Sequence, residues 1–386
     1  MHQELLKYMR TRYFRDSKGK ASIKALVYER SDHNVSRNSI DIDARKICAR
    51  LNERGHEAYI VGGAVRDLLL GRIPKDFDIA TDASPSRVKR LFRNSRVIGK
   101  RFRLVHVFFK DGKIHEVATF RAPESGDRNH VYGSLYEDVM RRDFSLNALY
   151  YDPEEETIID FVNGVKDIRK GVVKSVLPLN SSFSEDPVRM LRAVKYAAIT
   201  GMKISAPVGR RIRKDASLLS SASISRLSEE LYKILNSRNS EVIMRLMDRY
   251  RLFDYLLPGI SPDVREKTFL SLGRLDEKMI SESPDRGVMI YYLSTEAFNN
   301  LGVFETPDRK GPLFMDAVRS LKELLKPLVQ PNRDVEEAVR MMFRDRGLKI
   351  PRKRPWHSEG QDAVVKRRRR RRRKPAESRK PGDSTS

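Results

Sequence analysis

A change of hydrophobic period near residue 175 constrains the fold more than any other feature of the chain. From about residue 39 up to that point, short apolar runs of strand length alternate with glycines and turn residues, an α/β pattern. From 176 to 345 the spacing becomes helical, as in LSEELYKILNSRNSEVIMRLMDRYRLFDYLL. A chain of 386 residues has room for two or three domains at roughly 150 residues each. Residues 1–38 are polar and read as mostly a flexible arm. Residues 351–386 are of low complexity, with 14 Lys and Arg against 4 acids, so +10 of the chain's +25 sits in its last tenth.

The α/β part carries local punctuation. Ala58 to Val61 is a short apolar run, followed by Gly62-Gly63 and a helical stretch through Leu70 closed by Gly71. Phe77 to Ala80 is a second strand candidate. Ser84-Pro85 has cap and first-turn chemistry for the helix SRVKRLF. Arg103 to Phe109 and Lys113 to Phe120 flank Asp111-Gly112, a hairpin signal.

Several function classes are excluded early. One cysteine, Cys48, rules out a disulfide scaffold and a cysteine-based zinc site, and fits a reducing compartment. No apolar stretch approaches the roughly 18 residues of a membrane span, and MHQELLKYMRTRYFRDSKGK lacks the apolar centre of a secretory signal. The chain therefore reads as soluble and cytoplasmic, without a membrane partner. Its +25 charge favours a polyanionic partner such as nucleic acid, or an anionic membrane surface, and does not by itself choose between RNA, DNA and lipid headgroups. No P-loop or dinucleotide fingerprint accompanies the glycines, so kinase-type and Rossmann chemistry are unsupported.

The candidate chemistry starts with Lys75-Asp76-Phe77-Asp78. In a strand, Asp76 and Asp78 would present carboxylates to one face and repel each other unless a cation sits between them. A divalent ion with oxygen ligands, Mg²⁺, is the natural partner, and it commonly binds substrate phosphates as well. Glu116, in HEVATFR, interrupts a run otherwise headed for the core. As a third carboxylate it would complete a site for two metal ions; an edge-strand glutamate facing water is the alternative. Gly62-Gly63 would let backbone amides approach a triphosphate, or simply make a tight turn. Arg141, Arg142 and Asp143 suit phosphate and ribose contacts, the alternative being a solvated basic turn. In EDPVRMLR, Asp186 caps a helix and Pro187 takes its first position. Asp186 and Arg189 could read a nucleobase edge, with Arg192 further along the same basic stripe. His106 and His115, on the two hairpin strands, are expected to pack or hydrogen-bond rather than bind metal. The run Arg367, Arg368, Arg369, Arg370, Arg371, Arg372, Arg373 would form a non-specific phosphate clamp, each phosphate it neutralises adding roughly −0.7 to the salt slope of log K.

AYIVGGAVRDLLLGRIPKDFDIAT, HEVATFR, YEDVMRRDFSLNALYYD and EDPVRMLRAVKYAA, in this order and at these spacings, resemble the bacterial branch of template-independent nucleotidyltransferases. That branch contains the tRNA CCA-adding enzymes and the bacterial poly(A) polymerases. The resemblance covers roughly residues 45–260. It implies an α+β fold in which a small mixed-sheet nucleotidyltransferase head (39–175) precedes an all-helical neck and body (176–260) and tail segment (261–350), with a disordered Arg-rich terminus (351–386). It implies that Asp76, Asp78 and Glu116 hold Mg²⁺ and that Asp143 is also essential. Gly62, Gly63 and Arg66 would line the triphosphate site, Arg141, Arg142 and Asp143 the sugar and phosphate, and Asp186, Arg189 and Arg192 the base. The basic stretch around Lys100, Arg101 and Arg103, together with NHVYGSLYEDVMRRDFSLNAL, RYRLFDYLLPGI and the Arg-rich end, is similar to the poly(A) polymerase side of the branch, and its basic residues would contact RNA. The implied activity is transfer of AMP from ATP to RNA 3′ ends, with RNA-decay or RNA-chaperone proteins as conceivable partners. CCA addition to tRNA, or RNA binding without turnover, are the alternatives.

Overall fold

The computed structural model describes residues 10–14, 23–99, 104–122, 132–304 and 314–351. It divides into two compact units, Met1–Met342 and Phe343–Ser386. The first opens with a nine-stranded mixed sheet of order β1-β2-β9-β8-β3-β4-β7-β6-β5. Its strands are β1 (Arg10–Phe14), β2 (Ile23–Tyr28), β3 (Ala58–Val61), β4 (Asp78–Thr81), β5 (Ser95–Ile98), β6 (Leu104–Phe108), β7 (Ile114–Thr119), β8 (Tyr150–Asp152) and β9 (Thr157–Asp160). Between them lie α1 (Arg30–His33), α2 (Ile42–Asn52), α3 (Gly63–Leu69), α4 (Pro85–Leu91), α5 (Leu135–Met140) and α6 (Gly164–Arg169).

From residue 179 onward the described chain is almost entirely helical. It contains α7 (Leu179–Glu185), α8 (Val188–Thr200), α9 (Ala206–Asp215), α10 (Ile224–Leu235), α11 (Ser240–Arg249), α12 (Phe253–Leu256), α13 (Pro262–Ser281), α14 (Arg286–Asn299), α15 (Phe314–Leu324) and α16 (Asn332–Asp345). A short parallel pair, β10 (Val172–Val173) and β11 (Lys203–Ile204), straddles the change of period. An α+β chain with a mixed-sheet head and helices behind it is the expected fold. The disorder expected of 351–386 concerns residues that, after Pro351, lie outside the described ones.

The local signals act where they are written. Ser84 Oγ accepts from the Arg87 amide, with Pro85 in the first turn of α4. β6 and β7 pair antiparallel, Phe108 opposite Ile114, around a short 3₁₀ turn at Lys110–Gly112. The flexible-arm reading of 1–38 fails for two stretches, because β1 and β2 extend the sheet at its edge. β2 alternates, burying Ala25 and Val27, and pairs antiparallel with β9, Leu26 opposite Asp160. One face of the sheet buries Ala25, Tyr59, Val61, Ala80 and Tyr150 against Leu135 and Val139 of α5. The opposite face, with Ile60 and Ile79, is covered by α2 through Ala44, Ile47, Cys48 and Leu51. No helix among the described residues is long and apolar enough to cross a membrane.

Candidate active site

The sheet register brings the expected carboxylates together from distant parts of the sequence. Val61, the last residue of β3, pairs with Asp78, the first of β4. β4 runs parallel to β7 with Ile79 beside Val117, so Asp78 and Glu116 are neighbours one step earlier. Period-two alternation turns both away from the buried Ile79 and Val117, onto the face that α5 covers. Asp76 lies two residues before β4, outside the strand, so the sheet does not impose the expected same-face pairing of Asp76 and Asp78. β7 is an inner strand, flanked by β4 and β6, so Glu116 is not on an edge, although its side chain, 48% exposed, does face water.

Electrostatics join the three groups. Asp78 reaches solvent at the rim yet is recessed among protein atoms. Burial, then the negative charges of Glu116 and Asp76, push its carboxyl up to about 6, against a smaller pull from Arg142. Glu116 Oε1 lies 3.2 Å from His106 Nε2, its partner across the hairpin. His115 is buried, with Nε2 3.1 Å from Asp41 Oδ1. Among the described residues no three His, Cys, Asp or Glu side chains converge closely enough to enclose an ion. The donor set nevertheless suits a hard divalent cation: all oxygen, and mutually repulsive without one.

Beside the carboxylates, the chain leaves β3 through Gly62, whose φ of +69° suits glycine. A Cβ on Gly62 would lie 3.5 Å from Arg142 Nη1, and one on Gly63 3.5 Å from Arg66 Nη2, so two guanidinium groups back the turn. Arg66 is buried. It donates to Asp67 Oδ1 and Asn147 Oδ1, both at 2.9 Å, and lies over the Tyr196 ring at 5.4 Å. Arg142 donates to Tyr150 Oη (2.8 Å), the Asn147 carbonyl (3.1 Å) and Asp138 Oδ2 (3.1 Å). Arg141 Nε donates to Asp138 Oδ1 at 2.7 Å. Burial alone would raise the Asp138 carboxyl, but Arg142 and Arg141 outweigh it and hold it below the usual range. The solvated basic turn is therefore a locked one. The sequence signal for Asp138 is its spacing, since Arg141 and Arg142 follow it at i+3 and i+4.

Asp143 connects this region to α8. It is buried; Oδ1 accepts from the Phe144 amide (2.9 Å), and Oδ2 forms an ion pair at 2.8 Å with Arg192 Nε. At the start of α8, Asp186 Oδ1 accepts from the Val188 amide (3.3 Å), but the helix begins at Val188 with Pro187 at its cap, one residue later than expected, and Asp186 closes α7. Arg189 Nε lies 3.9 Å from Asp186 Oδ2, and Arg189 Nη1 donates to the Ser182 carbonyl at 2.8 Å. Arg226 at the start of α10 donates to Asp186 Oδ2 at 2.6 Å, a partner that no local sequence signal marks. Lys100, Arg101, Arg103 and Arg367 to Arg373 lie outside the described residues.

Residues 58–174 match the poly(A) polymerase head domain, and residues 201–264 match the probable RNA and SrmB-binding site of polymerase A. Over 276 residues, 67% of this chain, the sequence is 41% identical to poly(A) polymerase I of Escherichia coli O6:H1. The chain belongs to the poly(A) polymerase and CCA-adding enzyme family. It spans 59% of the length of that relative. Within the same family it is 37% identical over 224 residues, 56% of each chain, to the CCA-adding enzyme of Bacillus subtilis. Its fold is similar to that of the Bacillus stearothermophilus CCA-adding enzyme in complex with CTP: TM-score 0.54, 27% identity, 84% of this chain and 91% of the other.

Proposed function

We propose that this chain is a template-independent polynucleotide adenylyltransferase that adds AMP from ATP to RNA 3′ ends. The observation that carries the reading is the register that sets Asp78 beside Glu116 on one sheet face, with Asp76 close enough to raise the Asp78 carboxyl and the Gly62-Gly63 turn at the adjoining strand end. The 41% identity to a poly(A) polymerase I supports ATP and an RNA end as substrates. The RNA 3′-hydroxyl would attack the α-phosphate of ATP, and pyrophosphate would leave.

In this mechanism Asp76 and Asp78 would hold Mg²⁺, with Glu116, 3.2 Å from His106, as the third carboxylate. Bound there, two such ions would supply the positive charge that activates the hydroxyl and stabilises the leaving pyrophosphate. Arg66 and Arg142, held by Asp67, Asn147, Tyr150 and Asp138, shape and stiffen the Gly62-Gly63 turn where the triphosphate would lie. Arg141 and Asp138 keep Arg142 in place, and Asp143 ties the ribose-proximal loop to Arg192. Asp186 and Arg189 present an acceptor and donors to the base edge. The head at 39–175 would carry the chemistry, 176–260 base selection and RNA contact, and 261–350 a further helical segment. The match to a probable RNA- and SrmB-binding site supports RNA as a partner of 201–264. A cytoplasmic setting completes the reading.

CCA addition is the second reading, favoured by the 37% identity to a CCA-adding enzyme. The test is labelled RNA with a free 3′-hydroxyl, Mg²⁺, and ATP or CTP alone. Long A-only products support the polymerase. One or two additions confined to tRNA lacking its end support the alternative, and bound RNA with no product supports a binding role. Asp76→Ala and Asp78→Ala proteins that incorporate ATP at the wild-type rate would overturn the mechanism.

A further inference from the structure

Three head side chains grip one face of α8 along most of its length. Asp143 meets Arg192 at 2.8 Å, Arg66 lies over Tyr196 at 5.4 Å, and Arg72 reaches the helix end. Arg72 Nη1 donates to the Ile199 carbonyl at 2.6 Å, and its Nη2 lies 3.5 Å from the Thr200 carbonyl. At 100° per residue, positions 192, 196 and 199 fall within about 60° of one another, and Arg189 lies near the same stripe. α8 also packs against α10 and α11, burying Met190, Val194 and Ala197 on its far side, while Lys195, next to the gripped stripe, pairs with Glu230.

Two of the three grips come from α3 and the turn that closes it. α3 begins at the Gly62-Gly63 turn, carries Arg66 in its middle, and is followed by Gly71, at φ +68°, and then Arg72. The turn assigned to the triphosphate and the clamp on α8 thus flank the same seven-residue helix, the Arg72 amide donating back to the Asp67 carbonyl at 2.8 Å. α8 is 13 residues long, and Arg189 lies eleven residues before Thr200, about 16 Å along the axis. With the Arg72 end released, α8 would turn about the Asp143–Arg192 pair, about 4.5 Å along the axis from Arg189, so a tilt of roughly 13° would move Arg189 by about 1 Å, a displacement that can cost on the order of 100-fold at a preorganised site.

We propose that Arg72 is a positioning residue for nucleotide selection: by holding the C-terminal end of α8 to the head, it sets where Asp186 and Arg189 stand relative to the triphosphate turn. The inference rests on the polymerase reading and assigns the selecting helix a support remote from the base. Arg72 touches none of the groups assigned to the chemistry. The competing role is purely structural, a cation on the last carbonyls of a helix.

The test uses the full chain with Arg72→Met and Arg72→Lys, measuring kcat and KM for ATP and for CTP on 3′-hydroxyl RNA with Mg²⁺, alongside the thermal midpoint. Arg72→Met should raise KM for ATP about 10-fold and narrow the preference for ATP over CTP, with kcat nearly unchanged because Asp76, Asp78 and Glu116 are untouched. Arg72→Lys, which keeps a charged donor, should fall between. A folded Arg72→Met protein with wild-type KM and ATP preference, whatever its midpoint, overturns the proposal. Should Arg72→Met fail to fold, Arg72→Lys decides alone, and wild-type KM and ATP preference there overturn it too. A wild-type chain that incorporates neither nucleotide overturns the polymerase reading itself, and this inference with it.

Discussion

Replacing Asp78 by asparagine separates what the carboxylate does for chemistry from what it does to the fold. In the folded chain burial, Glu116 and Asp76 raise its carboxyl to about 6, against 3.8 ordinarily. Between those values the folded state binds the extra proton, so stability falls as pH rises through that window and stays lower above it. A shift of roughly 2 units would correspond to about 3 kcal/mol if fully expressed. The side chain reaches solvent, and screening reduces this to about 1 kcal/mol. Asn is nearly isosteric and uncharged, so Asp78→Asn should raise the thermal midpoint by about 1–3 °C at pH 8 without added metal. At pH 4, where folded-state Asp78 is already protonated, the gain should vanish. Mg²⁺ should raise the wild-type midpoint more than that of the variant, and ATP incorporation by the variant should be lost. The assay is thermal unfolding at both pH values, with and without Mg²⁺. An equal gain at pH 4 and pH 8, or no gain at pH 8, would refute the claim that like-charge crowding raises this carboxyl.

Further substitutions separate framework from recognition. Arg142→Met strands Asp138 and the Tyr150 hydroxyl in a buried setting and should cost about 3 kcal/mol in urea unfolding, with Arg141 retaining part of the pairing. Arg189→Met, at a half-buried site, should cost about 1 kcal/mol or less yet weaken ATP preference in steady-state incorporation. Deleting 351–386 removes a net +10 and should weaken RNA binding and flatten its salt dependence, by about 0.7 in log–log slope for each phosphate the arginine run neutralises, while ATP use on short primers is retained. An unchanged slope in a salt titration would count against any phosphate role for that run.

What a reading of the residues recovers follows how local each signal is. The Gly62 turn, the Ser84 cap and the β6–β7 hairpin depend on neighbours a few residues away, and each forms where its residues stand. β1 and β2 escape such a reading because their pairing is remote: Val27 finds Ile159 more than a hundred residues later, and the alternating IKALVY is short and preceded by charged, turn-forming residues. The strand expected to carry both Asp76 and Asp78 begins only at Asp78. The adjacency of Asp78 and Glu116 needs the parallel β4–β7 register, which a hairpin signal does not contain. Tyr196, Asn147 and Arg226 escape notice because their partners lie 40 to 130 residues away, a distance over which composition and period carry no information.

The arginines of the candidate site divide the work differently from what their number suggests. Arg66, Arg141, Arg142, Arg192 and Lys195 contribute five formal positive charges, but Asp67, Asp138, Asp143 and Glu230 contact them directly and contribute four negative ones, leaving +1. Asp76, Asp78 and Glu116 add −3 beside them, so these groups together sum to −2 at a place proposed to receive a triphosphate. Guanidinium groups already committed to aspartates, amide oxygens and aromatic faces cannot also wrap a phosphate without giving up buried partners, a loss that costs several kcal/mol for a buried charge. Their contribution is therefore shape and rigidity around Gly62 and Gly63. In the proposed reaction, the charge that attracts ATP would arrive with the nucleotide, as the divalent cation that relieves the repulsion around Asp78. Binding of ATP and activation of the RNA end would then depend on the same ion-filled carboxylates, and base preference on how firmly α8 is held against the head.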